Sequence, residues 1–333
     1  MDVSIACEGW FGLDWPPWRG LAGAVERLGF AGLYLSDRIF LGVSPPLPSL
    51  ALIVAPTYLA DHTARVRFGA LVAPLSVREP VTLARQAAAL DDLSGGRFVL
   101  GVGTGWNAGE HAMFGHALGD LPTRFARPEE GLEVLTRLLR GDGPASYAGH
   151  FFRLQDAILA PRPQRPGGPP LLIGGHGPRR TLPLVARYAD IWNVNTRALP
   201  EVRERAALLD RLLLAAGRRP EDVRRTVPVV LDHGEVQQCP ERATREVVEV
   251  QADGVGGRLG LDPGTQAAEG LRAVLLEIEL ADQPTINRLD DLPRAIDRQG
   301  QRLGQRLPLV LALGVRRVRS LRAARSTCNG PLT

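Results

Sequence analysis

Two stretches of this chain combine residue types at spacings suited to ligand chemistry. In the first, the apolar run from Phe98 to Val102 carries Gly101 and leads into Gly103, Thr104, Gly105, Trp106 and Asn107, with Glu110 and His111 just beyond. This reads as a buried strand opening into a loop without side-chain bulk, where glycine admits a planar or anionic ligand close to the backbone. In the second, Leu171 to Ile173 run into Gly174, Gly175, His176 and Gly177, then into a helix opened by Pro178 and carrying Arg179 and Arg180. Backbone N–H groups and the helix dipole make that loop an anion site suited to phosphate, to which Arg179 or Arg180 can add charge. Together the two units point to a cofactor held at the C-terminal edge of parallel strands.

A third candidate is the pair Asp37 and Arg38, which ends the apolar segment Gly32 to Leu35. Arginine does not give up its proton, so Arg38 is suited to hold an anionic substrate or to pair with Asp37. Metal chemistry is not expected. Cys7, Cys239 and Cys328 are far apart, and His111 and His116 do not share a helical face.

The elements that must position these residues alternate between strand and helix. Strands are expected at 3–6, 32–35, 66–72, 98–102, 171–173, 191–194 and 226–231, and helices at 18–28, 49–61, 80–93, 124–139, 179–188 and 201–216. Seven strands with intervening helices suit parallel pairing. Because polar chemistry sits at several strand ends, an eight-fold (β/α) barrel fits better than a doubly wound sheet. Gly101, Gly103 and Gly105 also touch the dinucleotide fingerprint, but Trp106 stands where its third glycine belongs. An NAD-dependent Rossmann dehydrogenase is therefore a distant alternative.

Composition excludes other classes. The 40 basic residues are all arginine, the net charge is +4 and aromatics are 5%. Scattered arginines with few stacking aromatics describe solvated helix faces rather than a nucleic-acid surface. The sequence has no apolar run of about 18 residues, so no membrane partner is expected, and the N-terminus lacks a signal-peptide pattern, which suggests the cytoplasm. The expected partner is a small-molecule substrate, and a homodimer is compatible with the sequence.

The segments Leu33 to Asp37, Phe68 to Pro80, Leu93 to Gly115 and Pro169 to Asn193 resemble the bacterial luciferase-like monooxygenase family, in collinear order over roughly residues 1–230. The likeness is strongest to its branch dependent on the deazaflavin coenzyme F-420. It implies a TIM (β/α)8 barrel with a flavin-type cofactor, F-420 or FMN, at the C-terminal ends of the strands. It also implies oxygenation of a substrate or hydride transfer to or from F-420. By the same resemblance, Thr104, Gly105 and Trp106 line the cofactor side of the fourth strand, and the phosphate lies on the Gly174–Gly177 loop. Leu71 and Val72 occupy the family's strand bulge, often with a non-prolyl cis peptide, behind the flavin ring. The chain departs from the family at Arg38, where a histidine is usual, which leaves Glu110 and His111 as the alternative candidates for proton transfer. That departure keeps a non-catalytic or degenerate flavin-binding barrel as an alternative function.

The luciferase-like barrel region is expected over 1–235. Residues 236–333 form an atypical C-terminal region that completes the barrel and is partly irregular. The eighth strand falls at 273–280 or 307–313, and the substrate pocket is built by the loops after Phe11, Phe40 and Tyr147.

Overall fold

The computed structural model describes residues 2–9, 13–39, 48–194, 199–230 and 274–280. The first half runs β1 (Asp2–Cys7), α1 (Trp15–Leu28), β2 (Gly32–Leu35), α2 (Val54–His62), β3 (Arg67–Ala70), β4 (Ala73–Pro74), α3 (Pro80–Leu93), β5 (Phe98–Gly103), α4 (Ala108–Met113) and α5 (Leu121–Arg140). The second half runs β6 (Ala145–Ala148), β7 (Arg153–Ala157), β8 (Leu171–Gly174), α6 (Thr181–Tyr188), β9 (Ile191–Asn193), α7 (Leu199–Ala215), β10 (Arg224–Val230) and β11 (Val274–Leu280).

The main strands are nearly continuous apolar runs, as strands buried on both faces must be. They pair in parallel in the order β1–β2–β3–β5–β8–β9–β10. β11 lies between β10 and β1 and closes a ring of eight strands. The closed ring is the expected barrel, and it rules out the doubly wound sheet of a Rossmann enzyme. Of the two places considered for the eighth strand, 273–280 is the one occupied, while 307–313 lies outside the described residues. The strand is reversed, however: β11 is antiparallel to both neighbours, with Val274 opposite Cys7 and Leu280 opposite Arg225.

Local chemistry sets the helix ends. α1 and α3 both carry proline in the first turn, where its missing N–H costs nothing. Glu79 caps α3, its carboxylate accepting from the N–H groups of Val81 and Thr82. Asp120 caps α5 by accepting from Thr123. α2 starts later than the sequence suggests, at Val54, because the preceding residues are engaged elsewhere. The Pro48 carbonyl accepts from Leu13 at 2.9 Å, and the Ser49 hydroxyl donates to the Arg38 carbonyl. The antiparallel hairpin β6–β7, outside the barrel, was not anticipated.

The strand expected at 66–72 is interrupted. It breaks after Ala70 at a cis peptide between Leu71 and Val72, and resumes as β4. Gly69 faces Val99, whereas Ala73 faces Val102. Four steps on one strand thus match three on its partner, which defines a bulge. Glycine lets the two strands approach here. A Cβ on Gly69 would lie 1.9 Å from the Val99 carbonyl oxygen, and one on Gly101 would lie 2.0 Å from that of Ala70.

Candidate active site

The C-terminal ends of the strands enclose a cavity of about 440 Å³. Its floor is built from the bulge. The Val72 side chain sits between two glycines, 2.6 Å from where a Gly103 Cβ would stand and 3.2 Å from that of Gly174. Any side chain at either glycine would compete with Val72 for this space. Leu71 and Val72, the β5 edge residues Thr104, Gly105 and Trp106, and Gly174 and Gly175 of the second glycine unit all line the cavity. The structure therefore brings together the two units that the sequence placed about 70 residues apart.

Asp37 and Arg38 line the same cavity, with corrected partners. Arg38 does not pair with Asp37. Both Asp37 oxygens accept from Arg78, Oδ2 from Nε at 2.7 Å and Oδ1 from Nη2 at 2.6 Å. This bond raises the Arg78 pKa further above its ordinary value, against the opposing effect of burial. Arg38 instead donates from Nη1 to Glu110 Oε2 at 3.2 Å and lies over the Trp106 ring, 4.5 Å from its centroid. Glu110 Oε1 accepts the Ile39 N–H at 2.6 Å. Each carboxylate thus takes an arginine, in the charge-assisted kind of bond that is stronger than a neutral one.

Other expected site residues stand back from the cavity wall. Glu110 and His111 lie behind it, on α4, where the Asn107 side chain caps the helix by accepting the Glu110 N–H. His111 is 2% exposed and hydrogen-bonded at both ring nitrogens, which removes it from direct contact with a ligand in the cavity. In the glycine loop, the Gly175 N–H is already donated to the Asn193 carbonyl at 3.0 Å, so it is not among the donors available to a phosphate. The Gly177 carbonyl accepts from Thr181 and Leu182, which makes the loop the true start of α6. His176 Nε2 lies 3.8 Å from Glu201, and the Arg180 guanidinium lies 5.2 Å from the Phe125 ring.

The sequence reading missed several residues that the structure brings to the site. Glu8 follows β1, Asn193 ends β9 and Pro228 lies in β10, and all three line the cavity. For Glu8 and Asn193 the C-terminal ends of expected strands were the available signal, whereas Pro228 falls inside its strand. Arg78 and Ser76, in the turn between β4 and α3, carried no such signal. The pocket loops around Phe11 and Phe40 lie outside the described residues. Beside the cavity, burial and then the Glu8 charge push the Cys7 thiol up to about 12. Among the described residues no His, Cys, Asp and Glu group is arranged to hold a metal ion, and no helix is long and apolar enough to cross a membrane.

Comparison with known proteins agrees with this geometry. The 4-hydroxyprotoasukamycin monooxygenase of Streptomyces nodosus subsp. asukaensis is 35% identical over 158 residues, which is 47% of this chain and 41% of that protein. The F420-dependent hydroxymycolic acid dehydrogenase of Mycobacterium tuberculosis is 29% identical over 200 residues, 60% of this chain and 54% of that protein. The chain thus spans about half the length of these relatives. A solved F420-dependent secondary alcohol dehydrogenase, in complex with an F420-acetone adduct, superposes with a TM-score of 0.60 at 21% identity, covering 68% of each chain. The model of the luciferase-like monooxygenase family matches residues 13–259, and the chain belongs to that family.

Proposed function

We propose that this protein is an oxidoreductase that binds F-420 or FMN in the strand-end cavity and acts on a small organic substrate beside it. The observation that carries this reading is the Val72 side chain filling the space between Gly103 and Gly174, where two strand ends have given up their side chains beneath the cavity. The residues fit a flavin-type group. Leu71 and Val72 would support its ring, Thr104 to Trp106 would border it, and the Gly174–Gly177 loop with Arg180 would take the phosphate. When bound, such a cofactor supplies hydride transfer or oxygen activation.

The chain's own residues do the rest. Arg38, set on Trp106, presents a cation that stabilises negative charge on a substrate or intermediate. Asp37 and Glu110 orient arginines, and Trp106 gives the substrate an aromatic surface. A second reading, cofactor binding without catalysis, is favoured by one observation: Asp37 and Glu110 are both held in ion pairs with arginines.

Titration with FMN, reduced FMN and F-420, followed by flavin fluorescence, tests the proposal. Binding at micromolar or tighter affinity to at least one of them is expected, with turnover across a substrate panel. Tight binding with no turnover would favour the second reading, and no binding would remove both. Gly177→Asp should weaken FMN at least tenfold, about 1.4 kcal/mol, while leaving phosphate-free riboflavin within twofold. An equal loss for both ligands would take the phosphate off this loop.

A further inference from the structure

The side chains that face the cavity are held in place by others that do not. Arg78 grips Asp37, and two residues before Arg78 the Ser76 hydroxyl lies 2.8 Å from His111 Nε2. His111 follows Glu110, Glu110 takes Arg38, and Arg38 follows Asp37. These contacts close a ring through Asp37, Arg78, Ser76, His111, Glu110 and Arg38, and they join the loops after β2, β4 and β5.

The Asn107 carbonyl selects the tautomer in which the Ser76–His111 bond has a definite sense. His111 Nδ1 lies 2.7 Å from the Asn107 carbonyl oxygen, which can only accept, so Nδ1 carries the proton. In that tautomer of the imidazole Nε2 is the acceptor, and the Ser76 hydroxyl donates to it. Both residues are buried, at 9% exposure for Ser76 and 2% for His111, so water does not replace the bond if it is lost. The pair also backs the cavity wall: a Cβ on Gly105 would fall 2.1 Å from Ser76 Oγ and 3.4 Å from His111 Cε1. On its other side, the Gly105 carbonyl accepts from Arg124 at 3.0 Å.

We propose that Ser76 and His111 are positioning residues whose hydrogen bond closes this ring and sets where Arg38 and Trp106 stand at the cavity. The effect on turnover rests on the redox reading above, whereas the effect on Trp106 does not. The test compares Ser76→Ala, Ser76→Thr and His111→Gln, each with and without Trp106→Phe, so that the Trp106 signal can be separated from the other tryptophans. Acrylamide quenching is measured on the protein without added ligand, and kcat and KM with FMN and with F-420.

Ser76→Ala should change the quenching constant of Trp106, a ring already 57% exposed, by about 1.3-fold and lower kcat five- to tenfold, with KM for the cofactor within twofold. Ser76→Thr, which keeps the hydroxyl, should restore both. Combined with Arg38→Lys, Ser76→Ala should lower kcat no further than Arg38→Lys alone, because both act through the same cation. Unchanged quenching in Ser76→Ala and His111→Gln would overturn the proposal whatever the activity, and so would losses that multiply with Arg38→Lys. If Ser76→Ala does not fold, His111→Gln carries the quenching measurement. If no cofactor supports turnover, the redox reading fails and the quenching still decides the role of the ring.

Discussion

Arg38 is bound along one edge by Glu110 and on one face by Trp106, and it still borders the cavity. A planar guanidinium can satisfy both neighbours, whereas a lysine keeps the charge and loses the fork and the stacking plane. Arg38→Lys should therefore lower turnover by at least tenfold while cofactor affinity stays within twofold, as steady-state rates and fluorescence titration would show. Equal rates would make Arg38 a bystander. Arg78 has a different task. Removing it by Arg78→Ala leaves the Asp37 carboxylate, 8% exposed, without its partner, and should cost about 3 kcal/mol or more in urea unfolding. The sequence made the candidate residues legible but not their pairing. Asp37 and Arg38 were visible at a strand end, while their partners lie 41 and 72 positions away on other loops. Local spacing carries no information about which loops a barrel will bring together, and the adjacent pair Asp37–Arg38 was the misleading choice.

At the scale of elements, periodicity and punctuation carried most of the information. α3 begins and ends where Pro80 and the Ser94–Gly95–Gly96 stop require, because proline pre-sets the first turn and glycine alone readily takes the positive φ of 64° and 84° that ends it. The cap itself was not legible, since glutamate is not among the favoured capping residues. Glu79→Ala should nevertheless cost about 1 kcal/mol in chemical denaturation, because two N–H groups lose their acceptor. The break in the strand at 66–72 was invisible to apolar patterning, which continues through it, and only the family resemblance marked Leu71 and Val72. What holds β3 against β5 is glycine. In Gly69→Ala the new methyl would meet a backbone oxygen that no rotamer change can move, so a loss of about 3 kcal/mol or more, or no folded protein, is expected. A melting temperature equal to that of the parent would show that the strands can part at no cost.

For the whole molecule, pH reports how tightly the barrel is closed around its titrating groups. Cys7 and Tyr188 are both pushed up to about 12, Cys7 by burial and then the Glu8 charge, Tyr188 by burial and then its hydrogen bond to Glu133. Both hold their protons more tightly folded than unfolded. Their contribution to stability is complete below the ordinary values of 9.0 and 10.0 and is lost as pH climbs towards about 12. Thermal midpoints should fall steadily above pH 9, and Cys7→Ala should flatten the part of that decline between pH 9 and 10. The closing strand has a different consequence, one of direction. In a ring whose strands all run alike, every strand delivers the chain that follows it to the ligand side. β11 runs the other way, so Val274 stands level with the ends of β1 and β10 at the ligand side and Leu280 is at the opposite pole. The barrel's eighth sector therefore has its inlet where the others have their outlets. A short peptide grafted immediately before Val274 would enter beside Cys7, next to the cavity-lining Glu8, and should depress cofactor affinity. The same peptide grafted immediately after Leu280 should leave affinity untouched, and this asymmetry is a direct readout of the direction in which the last stave of the barrel was laid.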